Sequence, residues 1–565
     1  MRIHPISGLL LCAVSLQGLA QTPDAGSLLR ETERPQRVLP QPAPEAAPKA
    51  PAAPAMEGVR VTVKAFRITG NTLIPEAELL PALALWVGKE VVFGELQQAL
   101  DALANEYRKR GWFVRPQLPA QDVSEGVITI HVIEGKLGAL RIDDGGKTLR
   151  VDREFVSGTM TARQHSGEPL NLEYLERGSN LLNDTPGVAV TTILAAGQRP
   201  AETDAVVKVQ DKPLIAGTVQ LDNGNSRSTG EEKLTASASL DNPSGHGDQV
   251  TLNGNASEGS RYLKVGYSLP VGKDGLRVGV STSALTYELV GKDFEASRSK
   301  GDAQTYGLNL NYPWLRSNTH NLSLGAALDR KDYYNEAAGL ETSEKRIHAA
   351  LVSLTGDSLD RLGAGGMTLW GVNLTYGDVD LSGNATYAAS DANGPRTAGR
   401  YTKFGANLAR LQRLSDKTTL WASINGQLAN KNLDSSEELS LGGPSGVRAY
   451  PVLEGSGDEG WLATLEARYT LSGQVQLTAF YDHGHVRRDH EGGFTGALLP
   501  ESGTLKGYGL GVNWSKPGAF TLRASVARRL GDNPFRTQVA GPSYGKDTDG
   551  SLDETRLWLT GIAYF

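Results

Sequence analysis

From Pro213 to Phe565 the chain repeats one pattern, runs in which apolar side chains alternate with small or polar ones, separated by turn-rich stretches. Lys233-Leu234-Thr235-Ala236-Ser237-Ala238-Ser239-Leu240 is one run; Leu276 to Leu289, Met367 to Tyr376, Tyr401 to Leu411 and Val475 to Tyr481 are others. Asp222-Asn223-Gly224-Asn225 and Asp241-Asn242-Pro243-Ser244-Gly245 are typical separators. A period of two sends successive side chains to opposite faces of a strand, so each run has one apolar face and one that tolerates water. Two architectures bury such strands, a large sandwich and a closed membrane barrel. The sandwich needs more Val, Ile, Leu and Phe than these segments carry. About sixteen segments give roughly 22 residues per unit, which fits membrane strands of about 9 to 11 residues plus their connections. Glycine agrees: 66 of 565 residues, about 12% against the usual ~7%, with no three-residue period. The expected fold class is a membrane β-barrel of about 16 antiparallel strands.

The N-terminus reads as an export signal, with Arg2, an apolar run from Gly8 to Leu16 and the small-x-small sequence Gly18-Leu19-Ala20. That run is too short to span a bilayer. Cys12, the only cysteine, lies inside it and follows Leu11, where a lipoprotein signal requires a small residue, so the mature chain is expected to begin near Gln21 without a thiol. Asp24 to Arg34 forms one amphipathic helix on this reading, with Asp24 as N-cap and Pro35 as stop. From Val38 to Gly58 the chain is rich in Pro and Ala, a composition that builds no core and favours an extended tether.

Between tether and barrel the periodicity is mixed. Val59 to Ile68 alternates as a strand, Pro75 opens a short helix to about Leu85, and Leu96, Leu100, Leu103 and Tyr107 recur at helical spacing. Gly111 stops that helix, and strands follow near Trp112 to Leu118 and Val127 to Ile133. A weaker copy has a strand near Leu140-Arg141-Ile142, a helix from Asn171 to Leu182, and strands Val188 to Leu194 and Ala205 to Val209. Two α+β modules in tandem are expected.

Three segments point to function. Leu441-Gly442-Gly443-Pro444-Ser445-Gly446-Val447-Arg448-Ala449-Tyr450 fills the long connection between the eleventh and twelfth segments. Phe480-Tyr481-Asp482-His483-Gly484 lies in the thirteenth, where Phe480, Asp482 and Gly484 share a face. The last run, Arg556 to Phe565, puts Leu557, Leu559, Gly561, Ala563 and Phe565 on one face. Its terminal aromatic is similar to the assembly signal of bacterial outer-membrane proteins. On these motifs the chain resembles the Omp85 superfamily, and within it the TpsB transporters of two-partner secretion, which carry VRGY at the tip of the sixth extracellular loop and FxDxG on an inner barrel strand. Ala449 stands where that family has glycine, which strains the tip if the position requires positive φ.

The resemblance implies a division into signal peptide 1–20, plug helix 21–37, linker 38–58, POTRA domains 59–137 and 138–212, and barrel 213–565 with loop 6 at about 432–460. It implies an outer-membrane transporter, its POTRA domains in the periplasm, that recognises an unfolded exoprotein and passes it through the barrel. The partners implied are one secreted TpsA-type exoprotein, adhesin or cytolysin, the outer-membrane lipids, and the outer-membrane assembly machinery during biogenesis; an Omp85-type assembly factor is the alternative. An Arg448 folded into the barrel finds in a lumen-facing Asp482 a bidentate acceptor. The expected substrate groove lies on the first POTRA domain, around Leu96, Leu100, Leu103, Tyr107, Trp112 and Val114, where an extended segment adds by β-augmentation.

Composition and motifs argue against other classes. Fifty-seven Lys and Arg against 63 Asp and Glu, net −6 without long single-sign blocks, give no footprint for nucleic acid. No P-loop is visible, and no cofactor is expected. Gly541-Pro542-Ser543-Tyr544-Gly545 matches the nucleophile-elbow pattern, but no histidine follows His490 and no helix follows the serine, so no enzyme is expected. His483, His485 and His490 lack a carboxylate or cysteine to complete a metal site, and the first two lie opposite Asp482, toward the lipid interface.

Overall fold

The structure is a computed structural model that describes residues 23–34, 60–291, 297–492, 499–537 and 544–565. The expected export signal with Cys12, and the Pro/Ala-rich linker, lie outside these residues.

Sixteen antiparallel strands close a barrel in chain order, the last pairing back onto the first. Strand 1 is Ile215–Asp222 and strand 16 Thr555–Tyr564; strands 7 and 8, His320–Ala337 and Leu340–Asp360, are the tallest at 18 and 21 residues. Every backbone group of a lipid-exposed strand must find a partner within the protein, and closure meets that demand. The closing seam is short: strands 1 and 16 pair only from Asp222 with Thr560 to Thr218 with Tyr564. Reciprocal backbone bonds between Gly217 and Phe565, at 3.0 and 3.1 Å, extend it at the end nearer the α+β modules. The side chain of Asn223 extends it at the other, accepting from Leu559 N–H and donating to Leu557 O. The Phe565 ring lies against Gly217, where a Cβ would collide with it.

The alternation read from the sequence sorts side chains between lipid and lumen. On strands 12 (Glu459–Thr470), 13 (Val475–Arg487) and 14 (Ser502–Lys516), Leu465, Tyr469, Leu477, Tyr481, Tyr508, Leu510 and Trp514 are exposed on the outer face. Thr464, Glu466, Arg468, Phe480 and Asp482 are buried within.

The first α+β module has a three-stranded sheet with Val127–Glu134 in the centre, Ala65–Thr69 parallel to it on one side and Val114–Gln117 antiparallel on the other. The single strand expected from Val59 to Ile68 is broken in two. Val61–Thr62 pairs with Glu90–Val91, and at Val63 and Lys64 the backbone changes partners, from Lys89 to Gly126. Helix Phe93–Arg108 packs Leu96, Leu100, Leu103 and Tyr107 onto this sheet.

The second module has strand Lys136–Asp143, helix Leu172–Asp184 and strands Val188–Ala196 and Glu202–Asp211, plus a helix the sequence pattern did not reveal, Arg153–Thr161. That helix is short, and Ser157 and Gly158 interrupt its apolar residues; Asp152 caps it by accepting from Glu154 N–H. Both modules therefore share the order β-α-α-β-β. They are joined through backbone bonds: Phe113 N–H to Leu170 O, Leu170 N–H to Gly135 O, and Leu172 N–H to Gly111 O.

The second module is bolted to one rim of the barrel. Arg163 and Arg177 both donate to Asp274, in the turn between strands 4 (Ser260–Val271) and 5 (Leu276–Glu288), and Tyr312 O–H donates to the same carboxylate at 2.7 Å. Arg316 makes a bidentate pair with Asp184 at 2.6 and 2.8 Å. Burial alone raises the Asp274 carboxyl, but the hydrogen bonds from Arg163, Arg177 and Tyr312 outweigh it and bring it down to about 2. A lowered carboxyl contributes docking free energy that is fully present above its free value of ~3.9 and is lost as pH falls through the lowered one. The distance between spin labels on the second module and on the barrel rim is therefore expected to broaden as pH drops from 4 to 2. Asp274→Asn is expected to show that broadening at neutral pH; a sharp, unchanged distribution in both cases would remove Asp274 as the anchor.

Candidate functional site in the barrel lumen

The connection between strands 11 (Thr418–Ala429) and 12 does not project outward but folds back into the barrel. Leu439–Ser440 pairs with Ser456–Gly457 as the stem of an inward hairpin. Backbone bonds from Val447 N–H to Leu441 O, from Gly443 N–H to Tyr450 O and from Tyr450 N–H to Val447 O tighten the tip. Val447, Ala449 and Tyr450 are fully buried.

At the tip Arg448 Nε and Nη2 donate to Asp482 Oδ2 and Oδ1 at 2.7 and 2.9 Å, and its backbone N–H donates to Oδ2 at 3.2 Å. The remaining fork reaches Glu466 at 3.1 Å, and Arg468 donates to the other oxygen of that carboxylate. Thr464 O–H also donates to Asp482, while Trp558, on the closing strand, donates its indole N–H to Arg448 O at 2.7 Å. The guanidinium carbon sits over the Phe480 ring, 3.3 Å from its centroid. A ring face beside a carboxylate that takes two prongs is a site for arginine, because a lysine cannot make the two-pronged bond. All three wall positions thus touch the loop, Phe480 by its ring, Asp482 by its charge, and Gly484 by having no side chain where Leu441 packs.

A second element shares the lumen. Helix Ala25–Glu33, capped by Asp24, packs Ala25, Leu28 and Leu29 among Tyr262, Leu285, Tyr287, Tyr333, Ile347 and Tyr401 of the wall. Glu33 accepts from Tyr262 and Lys264 of strand 4 at 2.7 and 3.1 Å. The helix is also tied to the infolded loop: Arg30 donates to Ser435 O and Glu438 O, and Arg34 to Ser440 O. One buried cation belongs to both. Lys345, on strand 8, donates to Asp24 of the helix at 2.9 Å and to Asp434 of the loop at 2.8 Å. Lys331 and Lys403 hold loop residue Glu437 from strands 7 and 10 (Gly399–Arg413), each at 2.8 Å.

Comparison with known proteins matches residues 201–514 to the haemolysin secretion/activation protein ShlB/FhaC/HecB, and residues 61–135 to the ShlB-type POTRA domain. The chain belongs to this secretion/activation family. It is 27% identical, over all of both chains, to the heme/hemopexin transporter protein HuxB of Haemophilus influenzae strain Rd. It is 28% identical to the outer membrane transporter CdiB of Dickeya dadantii over 79% of this chain and 80% of that one. Its fold is that of CdiB from Escherichia coli, with a TM-score of 0.71 at 22% identity over 96% of each chain. This family member is therefore an outer-membrane two-partner secretion transporter with periplasmic POTRA domains.

The transporter's departure from the family motif has a local explanation. Ala449 is absent from the positive-φ residues of the described chain, so its Cβ costs nothing in the backbone. That Cβ faces Gly507 on strand 14, where a second Cβ would come within 2.6 Å. The expected groove on the first POTRA domain requires correction. Leu96, Leu100, Leu103 and Tyr107 are at most 7% exposed, and Trp112 and Val114 are half-buried against the same core. The helical periodicity marks the face that holds the module together, and that face is not free to receive a substrate. The lysines at 331, 345 and 403 carried no sequence signal, because their partners lie far away in the chain. Of the nucleophile-elbow pattern, residues 541–543 lie outside the described residues, and no group of three metal-ligating side chains occurs among those described.

Gly507→Ala is expected to push the tip outward and expose loop 6 to added protease, and the double variant Gly507→Ala/Ala449→Gly to recover most of the protection. Lys345→Met leaves Asp24 and Asp434 buried without their shared cation, a loss of about 3 to 5 kcal/mol. Helix and loop are expected to loosen together, seen in planar bilayers as more frequent and larger channel openings than in the parent.

Proposed function

We propose that this transporter exports one large TpsA-type protein, an adhesin or a cytolysin, and that the plug helix and loop 6 are released together to let it pass. The observation that carries this reading is the occupancy of the lumen: helix and loop both stand in it, and Lys345 ties both to the wall. In this reading the domains run close to 59–137, 138–212 and 213–565, and Phe565 serves the assembly machinery during insertion.

Recognition is assigned to sheet edges in the POTRA domains. The outer half of Val188–Ala196 is an edge strand of the second domain, and Ile193 and Leu194 are exposed on it. An unfolded segment adds there by main-chain hydrogen bonds, with alternate side chains giving selectivity. The first domain offers Ala65–Thr69 as a second free edge. Passage then requires the Arg448 contacts to break. A buried ion pair that is costly to leave half-made, yet nearly balanced against hydration of both partners, suits a latch that opens without an energy-supplying cofactor.

The test compares secreted and surface proteins in cells carrying the chain, lacking it, or carrying Arg448→Ala at matched barrel abundance. Loss of one large exported protein in both defective strains is expected. Depletion of several outer-membrane barrels with no exoprotein changed would favour an assembly factor instead.

A further inference from the structure

The outer wall of strands 12 to 14 carries a cluster that transport does not use. Strand 13 rises through Tyr481 to His483 and His485, and strand 14 descends through Thr504 and Lys506 to Tyr508. Register places His483 beside Lys506 and Tyr481 beside Tyr508, with Arg528 of strand 15 (Phe520–Arg529) next to Tyr508. Since Asp482, Gly484, Leu505 and Gly507 are buried on the lumen side, their odd and even neighbours His483 and Lys506 face outward. His483 packs against Trp461 with the rings tilted by 57° and their centroids 4.9 Å apart, and meets Tyr481 edge-on at 6.1 Å.

The height of this cluster is set by the apolar band below it. On strand 14 the exposed Tyr508, Leu510, Val512 and Trp514 run down to the periplasmic side, six residues from one aromatic to the other. At about 3.3 Å per residue and a strand tilt of about 40°, the eight residues from Trp514 up to Lys506 rise roughly 20 Å, against an apolar band ~25 Å tall. Lys506 and its neighbour His483 therefore lie just under the upper edge of that band, where a long amine side chain reaches up to the outer-leaflet headgroups.

The charges there are one-sided. Arg487 pairs with Glu459 and Arg528 with Glu554, but among the described residues neither Lys506 nor His483 has an acidic partner. His485 spends one ring nitrogen on Thr504, and His490 turns to Glu459. Strands 7 and 8 differ at a comparable height, because Arg330 and Arg346 both pair with Asp332. An amine and an imidazole left unpaired at a lipid interface, beside aromatic rings, fit an anion carried by the lipid itself.

We propose that Lys506 and His483, flanked by Arg528 and seated on Trp461, Tyr481 and Tyr508, bind the phosphate of an anionic glycolipid in the outer leaflet. The lysine and the imidazole N–H take the phosphate, and the rings support the sugar and the upper acyl chain.

Native mass spectrometry of the full chain, released from detergent with bis-phosphorylated lipid A, tests this. The parent is expected to retain lipid A at least fivefold better than the dephosphorylated form, and 10 mM inorganic phosphate is expected not to displace it. Lys506→Gln/His483→Gln is expected to lose that preference, whereas Lys516→Gln, at the periplasmic end of the same strand, keeps it. Heat-modifiable migration on a gel reports that each variant is folded. Equal retention of the two lipids by the parent, displacement by inorganic phosphate, or a preference that survives the double substitution overturns the proposal.

Discussion

A charge inside the barrel must be paired or it is expelled, and the closed state of this transporter rests on that constraint. Arg448 enters the lumen from a loop, and the wall meets it with Asp482, Glu466, Thr464 and the face of Phe480. Such a pair adds little net stability over apolar packing, because desolvation offsets most of the Coulomb attraction. It is strong in another sense: it admits one geometry, and half of it is far worse than all or none. The loop tip is thereby placed by exclusion of alternatives.

The same logic ties the second occupant to the first. Asp24 and Asp434 come from segments some four hundred residues apart and share Lys345. Neither helix nor loop can leave without depriving the other's contact of part of its solvation or charge balance. Coupling of this kind needs no moving hinge; it follows from a single cation with two creditors.

The barrel was legible because its period of two persists over many strands and because a membrane fixes strand length. The motif at 447–450 and its wall partners at 480–484 were legible as sequence, and the structure adds how they meet. The groove on the first POTRA domain was misplaced because helical periodicity reports burial, and in a module of some seventy-five residues the only apolar stripe on Phe93–Arg108 is needed for the core. Helix Arg153–Thr161 escaped notice because one turn of Ser157-Gly158 dilutes a stripe already short. The lumen lysines were invisible for a different reason: on a strand, Lys345 reads as one more polar residue of the inner face, and only the fold brings two acids to it.

The barrel wall is uneven in height. Strand 8 has 21 residues, strand 1 has eight, and a bilayer needs about ten. The surplus on strands 7 and 8 raises a parapet on one side of the mouth, while on the side of strands 1 to 3 the connection between strands 15 and 16 takes over, with Arg227 donating to Asp549 O. One flank of the mouth is thus walled by strand and the other by loop, and only the loop flank can rearrange without breaking a ladder of backbone hydrogen bonds.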